Sequence, residues 1–283
     1  MNKLRVLLDT MPFVRAIEAV SGLQAMIADS ARADGAEFSA LWLSGFTHAA
    51  NRALPDDGTM PLSDKLYALS DITRVSDKPV IIDCDTGGSP KELQDTALAY
   101  EKAGAAAIVV EDKCGEKKNS LYCDKTLHKM ETPERFCEKI AAAKSCTFDL
   151  MIFARIESFI AGETEERALS RAAKYIAAGA DGIVIHSTDA FGREVLGFSQ
   201  KFKADFPHIP LGVIPTMYPT VSCETLHSHG ANIIIYANQM TRSAFLAMRK
   251  AAEMILSDGC ASRADKYAES AVSVLEFLEG GKR

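Results

Sequence analysis

Apolar residues along the chain gather in short runs, most of them followed by a stretch in which apolar and polar positions alternate with helical period. The runs are RAIEAV (15–20), ALWLSG (40–45), PVIIDCD (79–85), AAIVVED (106–112), LMIFARIES (150–158), DGIVIHS (181–187), LGVIPT (211–216) and NIIIYAN (232–238), giving about eight strand candidates. Between or after them lie PKELQDTALAYEKAGA, TPERFCEKIAAAK, ETEERALSRAAKYIAAGA and TRSAFLAMRKAAEMILSDG, several with the Thr, Ser or Pro start and Gly stop of a capped helix. Three spacers turn through small residues straight into the next strand, at EKAGAAAIVV, IAAGADGIVI and HSHGANIII. Repeated joints of this kind indicate consecutive parallel βα units.

An alternation of about eight such units is what a (β/α)₈ barrel requires, and no Pro/Gly/Ser-rich linker divides the chain, so one domain over 1–283 is expected. A doubly wound open sheet is the alternative architecture. The tail from Ser262 reads as a final amphipathic helix (262–283), because Ala264, Tyr267, Ala268, Ala271, Val274, Leu275 and Leu278 recur at three- and four-residue steps. Its apolar face is expected to pack on the barrel or on a neighbouring subunit.

Composition narrows the function classes. With 32 Lys+Arg against 38 Asp+Glu, the net charge is −6 and the pI about 5.6, which leaves no strongly basic surface for a nucleic-acid backbone. No apolar run approaches the roughly 20 residues of a membrane-spanning helix, and the start MNKLRVLLDTMPF lacks the h-region of a secretory leader. The 7 cysteines are dispersed, with no CxxC pair, as in a reduced, cytoplasmic protein without a zinc site.

In a parallel barrel, chemistry collects at the carboxyl ends of the strands. The polar residues there are Ser44-Gly45, Asp83 through Gly88, Glu111-Asp112-Lys113, Arg155 and Glu157, His186-Ser187 and Asn238. Asp83 and Asp85, two apart on one strand, are expected to share a face, with Glu111 ending the next strand at a comparable height. Three carboxylates converging in this way suit Mg²⁺ or Mn²⁺. Alternatively, the two aspartates cap the following helix or pair with Lys113. Arg155 is a candidate grip for a carboxylate or phosphate, or else an ion-pair partner of Glu157 inside the barrel. His186 is a site histidine or a hydrogen-bonded core one. The segment CGEKKNSLYCDKTLHK reads as a lid supplying Lys117, Asn119 and Ser120 on closing, or as a solvated charged loop.

At EDKCGEKKNSL (111–121), together with DCDTGG (83–88), FARIESFIAG (153–162), DGIVIHS (181–187), VIPT (213–216) and IYAN (235–238), the chain resembles the phosphoenolpyruvate mutases of the isocitrate lyase superfamily. The matching motifs run from about residue 40 to about residue 245, in order and at the expected strand ends. The resemblance implies a (β/α)₈ barrel, usually a homotetramer in which a C-terminal helix is exchanged between neighbours. It implies Mg²⁺ held directly by Asp83 and mainly through water by Asp85 and Glu111. The segment Trp42-Leu43-Ser44-Gly45-Phe46 would receive the pyruvate carboxylate, and Arg155, His186, Asn119 and Ser120 would surround the migrating phosphoryl group. Lys117 matches the lysine of the gating loop, and Asp56, next to Asp57, best matches the acid after the second strand.

The implied reaction is the Mg²⁺-dependent interconversion of phosphoenolpyruvate and 3-phosphonopyruvate, which forms the C–P bond of phosphonate biosynthesis. Three departures from the family pattern stand out: DTGGSP in place of DTGYGN, EAVSGL in place of EAHNGL, and Phe46 in place of Leu. Phosphonopyruvate hydrolase is the neighbouring activity; hydrolases of the superfamily carry Thr at the position of Asn119, so Asn119 points to the mutase. A 2-methylisocitrate-type C–C lyase requires a KKCG lid, whereas Cys114 here precedes Lys117. An idle paralogue that only binds or assembles is disfavoured by the joint presence of Asp83, Asp85, Glu111, Arg155 and Asn119.

Overall fold

The computed structural model describes residues 1–280. Eight parallel strands close a barrel in chain order: β1 (Val14–Glu18), β2 (Ala40–Leu43), β3 (Val80–Asp83), β4 (Ala107–Glu111), β5 (Met151–Ile156), β6 (Gly182–Ile185), β7 (Leu211–Val213) and β8 (Ile233–Tyr236), which returns to β1. This is the (β/α)₈ architecture expected from the alternation, and each strand lies within its apolar run except β1, which begins one residue earlier at Val14. The open-sheet alternative is excluded by the β8–β1 pairing.

The strands read as unbroken apolar runs because both their faces are buried. Leu41, Ile82, Ile108, Val110, Ile152, Ile156, Ile183 and Ile185 pack outward against helices. Val14, Ala40, Trp42, Ile81, Val109, Met151, Phe153, Val184 and Ile233 fill the interior. A Cβ on Gly182 would lie 2.2 Å from Phe153 Cε1, so a glycine opposite the large ring is what the filled barrel demands. The interior parity, continued one step, places Glu18, Ser44, Asp83, Glu111, Arg155, Glu157 and His186 inward at the carboxyl-terminal mouth.

Helices α1 (Lys3–Thr10), α2 (Gly22–Ser30), α3 (Gly45–Asn51), α4 (Leu62–Thr73), α5 (Pro90–Lys102), α6 (Pro133–Cys146), α7 (Glu165–Ala177), α8 (Arg193–Asp205), α9 (Cys223–Ser228) and α10 (Gln239–Asp258) complete the units. The caps follow the sequence signals. Ser89 and Glu92 form a capping box on α5, Thr132 and Thr164 cap α6 and α7, and Gly104 and Gly179 take positive φ beyond the ends of α5 and α7. Helix α1 seals the amino-terminal end of the barrel, where Asn2 Nδ2 donates to the carbonyls of Ala106 and Asp149 and Leu4 is fully buried.

The tail departs from the expected single helix. Ala264–Tyr267 forms a 3₁₀ turn, Ala268 is extended, and α11 follows only at Ala271–Gly280. Part of the 262–283 prediction, residues 281–283, lies outside the described residues. No residue of α10 or α11 is buried, and Phe245, Met248, Leu256, Val272 and Leu275 are exposed. No described helix is long and apolar enough to cross a membrane.

Candidate active site

Strand register places the central ion pairs. Glu111 on β4 lies beside Arg155 on β5, both pointing inward. The Arg155 guanidinium bonds Glu111, donates from Nε to Glu157 Oε1 at 2.6 Å and reaches Asp83 Oδ1 at 3.4 Å. His186 Nδ1 lies 3.2 Å from the same Glu157 oxygen, which leaves His186 Nε2 buried and without a partner. Thus Glu157 joins Arg155 to His186, and the ion pair expected as the alternative for Arg155 is present within a larger cluster.

Burial pushes the Glu111 carboxyl up to about 7, with Glu157 and Asp83 adding to the rise against the pull of Arg155 and Lys113. Burial also penalises the Glu157 anion, but Arg155 and His186 outweigh it and hold that carboxyl well below its usual range.

Asp83 and Asp85 come together, though not by strand alternation as expected. Strand β3 ends at Asp83, and Asp85 sits beyond it with φ +53°, in the left-handed region that side chains other than glycine rarely occupy. The turn brings the two carboxylates back to one point. A Cβ placed on Gly45 would lie 3.0 Å from Asp85 Oδ1 and 3.2 Å from Asp83 Oδ2, and the Gly45 N–H donates to Asp83 at 3.3 Å. Gly45 opens α3 behind Ser44, whose hydroxyl accepts from Thr47 N as the helix cap.

The segment after β4 is seated across the mouth, as a closed lid. Lys117 Nζ donates to Asp56 Oδ1 at 2.5 Å and also bonds Asp85 Oδ1. Asn119 Nδ2 donates to Asp56 Oδ2 at 2.6 Å, while its own oxygen accepts from Leu121 N. Asp56 therefore faces the site; Asp57 turns away to bond Thr59. Lys113 anchors the lid from below, donating to Lys118 O at 2.8 Å and to the buried Ser120 hydroxyl at 2.7 Å. Beneath it remains a cavity of about 60 Å³, lined by Trp42, Ser44, Phe46, Asp56, Asp83, Glu111, Asn119, Arg155, His186, Thr216 and Asn238 among others. At about 10–15 Å³ per water, that is space for a few waters.

A cavity of 1190 Å³ lies elsewhere, between α1, the loop after α4 and α11. It is at the amino-terminal end of the strands and has no convergent carboxylate set, so the smaller cavity is the one placed for chemistry.

Sequence reasoning missed two lysines as parts of the site. Lys65 Nζ donates to Asp83 O and to Asp85 Oδ2, both at 3.0 Å. It lies on the buried face of α4 with Ala68, Leu69 and Ile72, so a lysine on an apolar stripe was the available signal. Lys113 stood among the polar strand-end residues and as a possible ion-pair partner, without a role on the lid. Its hold on the lid depends on a chain reversal that local sequence does not encode.

The residues fit a hard divalent cation. Every expected ligand atom is an oxygen, and the five carboxylates Asp56, Asp83, Asp85, Glu111 and Glu157 outnumber the four cations Lys65, Lys113, Lys117 and Arg155. Glu111 Oε1 is buried without a hydrogen-bond partner. Among the described residues, no three His, Cys, Asp or Glu side chains are grouped closely enough to ligate one ion together. The expected convergence of three carboxylates is met in part: Asp83 and Asp85 approach one point, while the Arg155 guanidinium stands between Asp83 and Glu111.

The chain is similar to known proteins over most of its length. A family model described as phosphoenolpyruvate phosphomutase matches residues 5–256. The phosphonopyruvate hydrolase of Variovorax sp. (strain Pal2) is 34% identical, with 99% of this chain and 94% of that protein covered. Among solved structures, a phosphoenolpyruvate phosphomutase from Streptomyces platensis subsp. rosaceus superposes with a TM-score of 0.91 at 32% identity, covering 98% of this chain and 94% of that one. A phosphonopyruvate hydrolase solved with oxalate and Mg²⁺ gives a TM-score of 0.87 at 32% identity, covering 99% and 96%.

Proposed function

The chain belongs to the phosphoenolpyruvate phosphomutase family, and on that premise we propose that it interconverts phosphoenolpyruvate and 3-phosphonopyruvate. The observation that carries this reading is Asn119, held on Asp56 in the closed lid with its side chain lining the cavity. In the reaction, the bond between phosphorus and the enol oxygen breaks and a bond from phosphorus to C3 forms. Such transfers pass through loose, metaphosphate-like transition states in which positioning and charge stabilisation dominate, so no protein nucleophile is required.

Asp83, Asp85 and Glu111 would hold Mg²⁺, or Mn²⁺ in its place, which would supply Lewis-acid stabilisation of developing enolate charge. The chain's own groups do the rest. The Trp42–Phe46 segment, with Ser44 and Gly45, receives the carboxylate. Arg155, His186 through its free Nε2, Asn119 and Ser120 surround the phosphoryl group. Lys117 ties the lid down over both, and a seated lid limits the access of water to the transferred group.

Hydrolysis of phosphonopyruvate is the second reading, favoured by the 34% identity to a protein of that activity. The lyase reading is weaker. Cys114 sits at the base of the lid with its thiol on Met130 O, away from the residues that line the cavity.

The uncovered apolar faces of α10 and α11 support a homo-oligomer, a tetramer on the family pattern, with the tail exchanged between neighbours. Seven unpaired cysteines fit a cytoplasmic setting. Phosphorus NMR with Mg²⁺ and phosphonopyruvate tests the activity. Appearance of phosphoenolpyruvate supports the mutase, phosphate alone moves the assignment to hydrolysis, and no change with or without Mg²⁺ overturns both.

A further inference from the structure

Lys65 stands on the inner face of α4, at a position where a lysine is costly unless its head meets an anion. Its side chain is 9% exposed, and the apolar stem runs inward beside Ala68 and Leu69. The ammonium ends on two acceptors of the same turn, the main-chain oxygen of Asp83 and the Oδ2 of Asp85. One cation thus fixes both the end of β3 and the side chain two residues later.

That turn needs an external hold. Asp85 adopts φ +53°, a left-handed conformation that is unfavourable for a residue bearing a Cβ. Strained backbone of this kind persists where its surroundings over-determine it. Four contacts do so here besides Lys65: Gly87 N donates to Cys84 O at 3.0 Å across the turn, Asp85 O accepts from Glu111 N at 2.8 Å, Asp85 N donates to Asp83 Oδ1 at 3.3 Å, and Lys139 Nζ from α6 reaches Thr86 O at 3.1 Å. None of these touches the Asp85 carboxylate. Among the described residues only Lys65 and the lid residue Lys117 do, one on each oxygen.

The two grips differ in permanence. Lys117 rides on the lid and leaves with it. Lys65 belongs to a twelve-residue helix packed on the barrel, so its grip does not depend on the lid. We infer that Lys65 is a positioning residue, which holds the Asp85 carboxylate in place for a hydrated divalent cation while the lid is open, so that the cation site exists before the lid closes. The inference rests on the cation site of the proposed function and deepens it by assigning the residue that preforms the site.

Titration of the full-length protein with Mn²⁺, followed by the electron paramagnetic resonance signal of the free ion and without substrate, tests it. Loss of a residue that orients a metal ligand typically weakens binding about 10- to 100-fold, and Lys65→Met is expected to fall in that range. Amide exchange over the turn 84–88 should rise in the same variant, while exchange in β6 to β8 stays as in wild type.

Lys65→Arg keeps the charge but offers a planar head to acceptors set for an ammonium, and is expected to bind Mn²⁺ with intermediate affinity. It is the variant to read if Lys65→Met does not fold, and wild-type affinity there overturns the inference. Unchanged or tighter Mn²⁺ binding by folded Lys65→Met also overturns it, leaving the cation site intact. Wild-type protein that binds no Mn²⁺ removes the cation site itself, and the inference with it.

Discussion

Asp56 and Lys117, 61 residues apart in the chain, meet at 2.5 Å over the mouth of the barrel. The same Lys117 ammonium bonds Asp85, so one side chain closes the lid onto both the loop after α3 and the turn after β3. Asp56→Asn and Lys117→Met should therefore loosen the lid without unfolding the barrel. The expected result is faster proteolytic cleavage within 114–124, an unfolding temperature close to wild type, and a loss of turnover of about 100-fold, the scale set by misplacing reacting groups. Cleavage at the wild-type rate would show that this pair does not hold the lid.

Asn119 bonds Asp56 and the lid's own backbone but none of Asp83, Asp85 or Glu111. Asn119→Ala should keep Mn²⁺ affinity while lowering turnover about 100- to 1,000-fold, as expected for loss of one hydrogen-bonding group at the reacting centre. Asn119→Thr should release more inorganic phosphate per turnover than wild type, measured by phosphorus NMR. Full activity in Asn119→Ala would contradict its assigned place.

Arg155 contacts three buried carboxylates at once. Removing one partner from a buried ionic cluster costs about 3–5 kcal/mol, so Arg155→Met should unfold at markedly lower denaturant concentration as well as lose activity. Denaturant titration with and without Mg²⁺ checks this. The cation should return part of the lost stability to Arg155→Met by offsetting the stranded anions.

Gly45→Ala separates site from scaffold. Alanine favours the helix, but its Cβ would crowd Asp83 and Asp85 at 3.2 and 3.0 Å. Stability should stay level or rise while Mn²⁺ affinity falls at least tenfold, about 1.4 kcal/mol. Asp83→Ala should abolish Mn²⁺ binding altogether. Calorimetry paired with thermal unfolding reads both quantities.

Glu18 supplies a pH-dependent signal away from the lid. Fully buried at the end of β1, it accepts from Thr241 N in the first turn of α10, where Asn238 makes no side-chain cap. Burial outweighs the hydrogen bonds from Thr241 and Thr47 and raises the carboxyl above its ordinary 4.5. A folded-state value above the unfolded one contributes stability that is full below pH 4.5 and is lost as pH rises through the raised value. Wild type should therefore lose stability relative to Glu18→Gln across that interval and level off above it, as read from denaturant midpoints at a series of pH values.

Much of this architecture was legible along the chain. Strands buried on both faces must be apolar throughout, so β3, β4, β5 and β6 appear as runs that a polar residue closes where the chain reaches the mouth. Asp83, Glu111, Arg155 and His186 stand at those ends, and their positions in sequence are enough to gather them. The helix stops at Gly104 and Gly179 are equally local, since each answers to a single left-handed residue.

Other features were settled only by contacts between distant segments. Asp56 and Asp57 are chemically identical neighbours, and the lid's fold back onto the loop selects the first. The left-handed turn at Asp85 is held by Lys65 and by the Glu111 N–H, groups that sequence spacing cannot bring together. The tail divides at an extended Ala268 although its apolar period runs on, and the helix α1 that seals the barrel carries too few residues to announce itself.

Local periodicity, repeated along eight strands, with capping signals at several of the helices, determined the barrel and the positions of its polar strand ends. Which carboxylate a lysine meets was decided only in three dimensions, because a long side chain reaches whatever the packed elements bring within a few ångströms of its head.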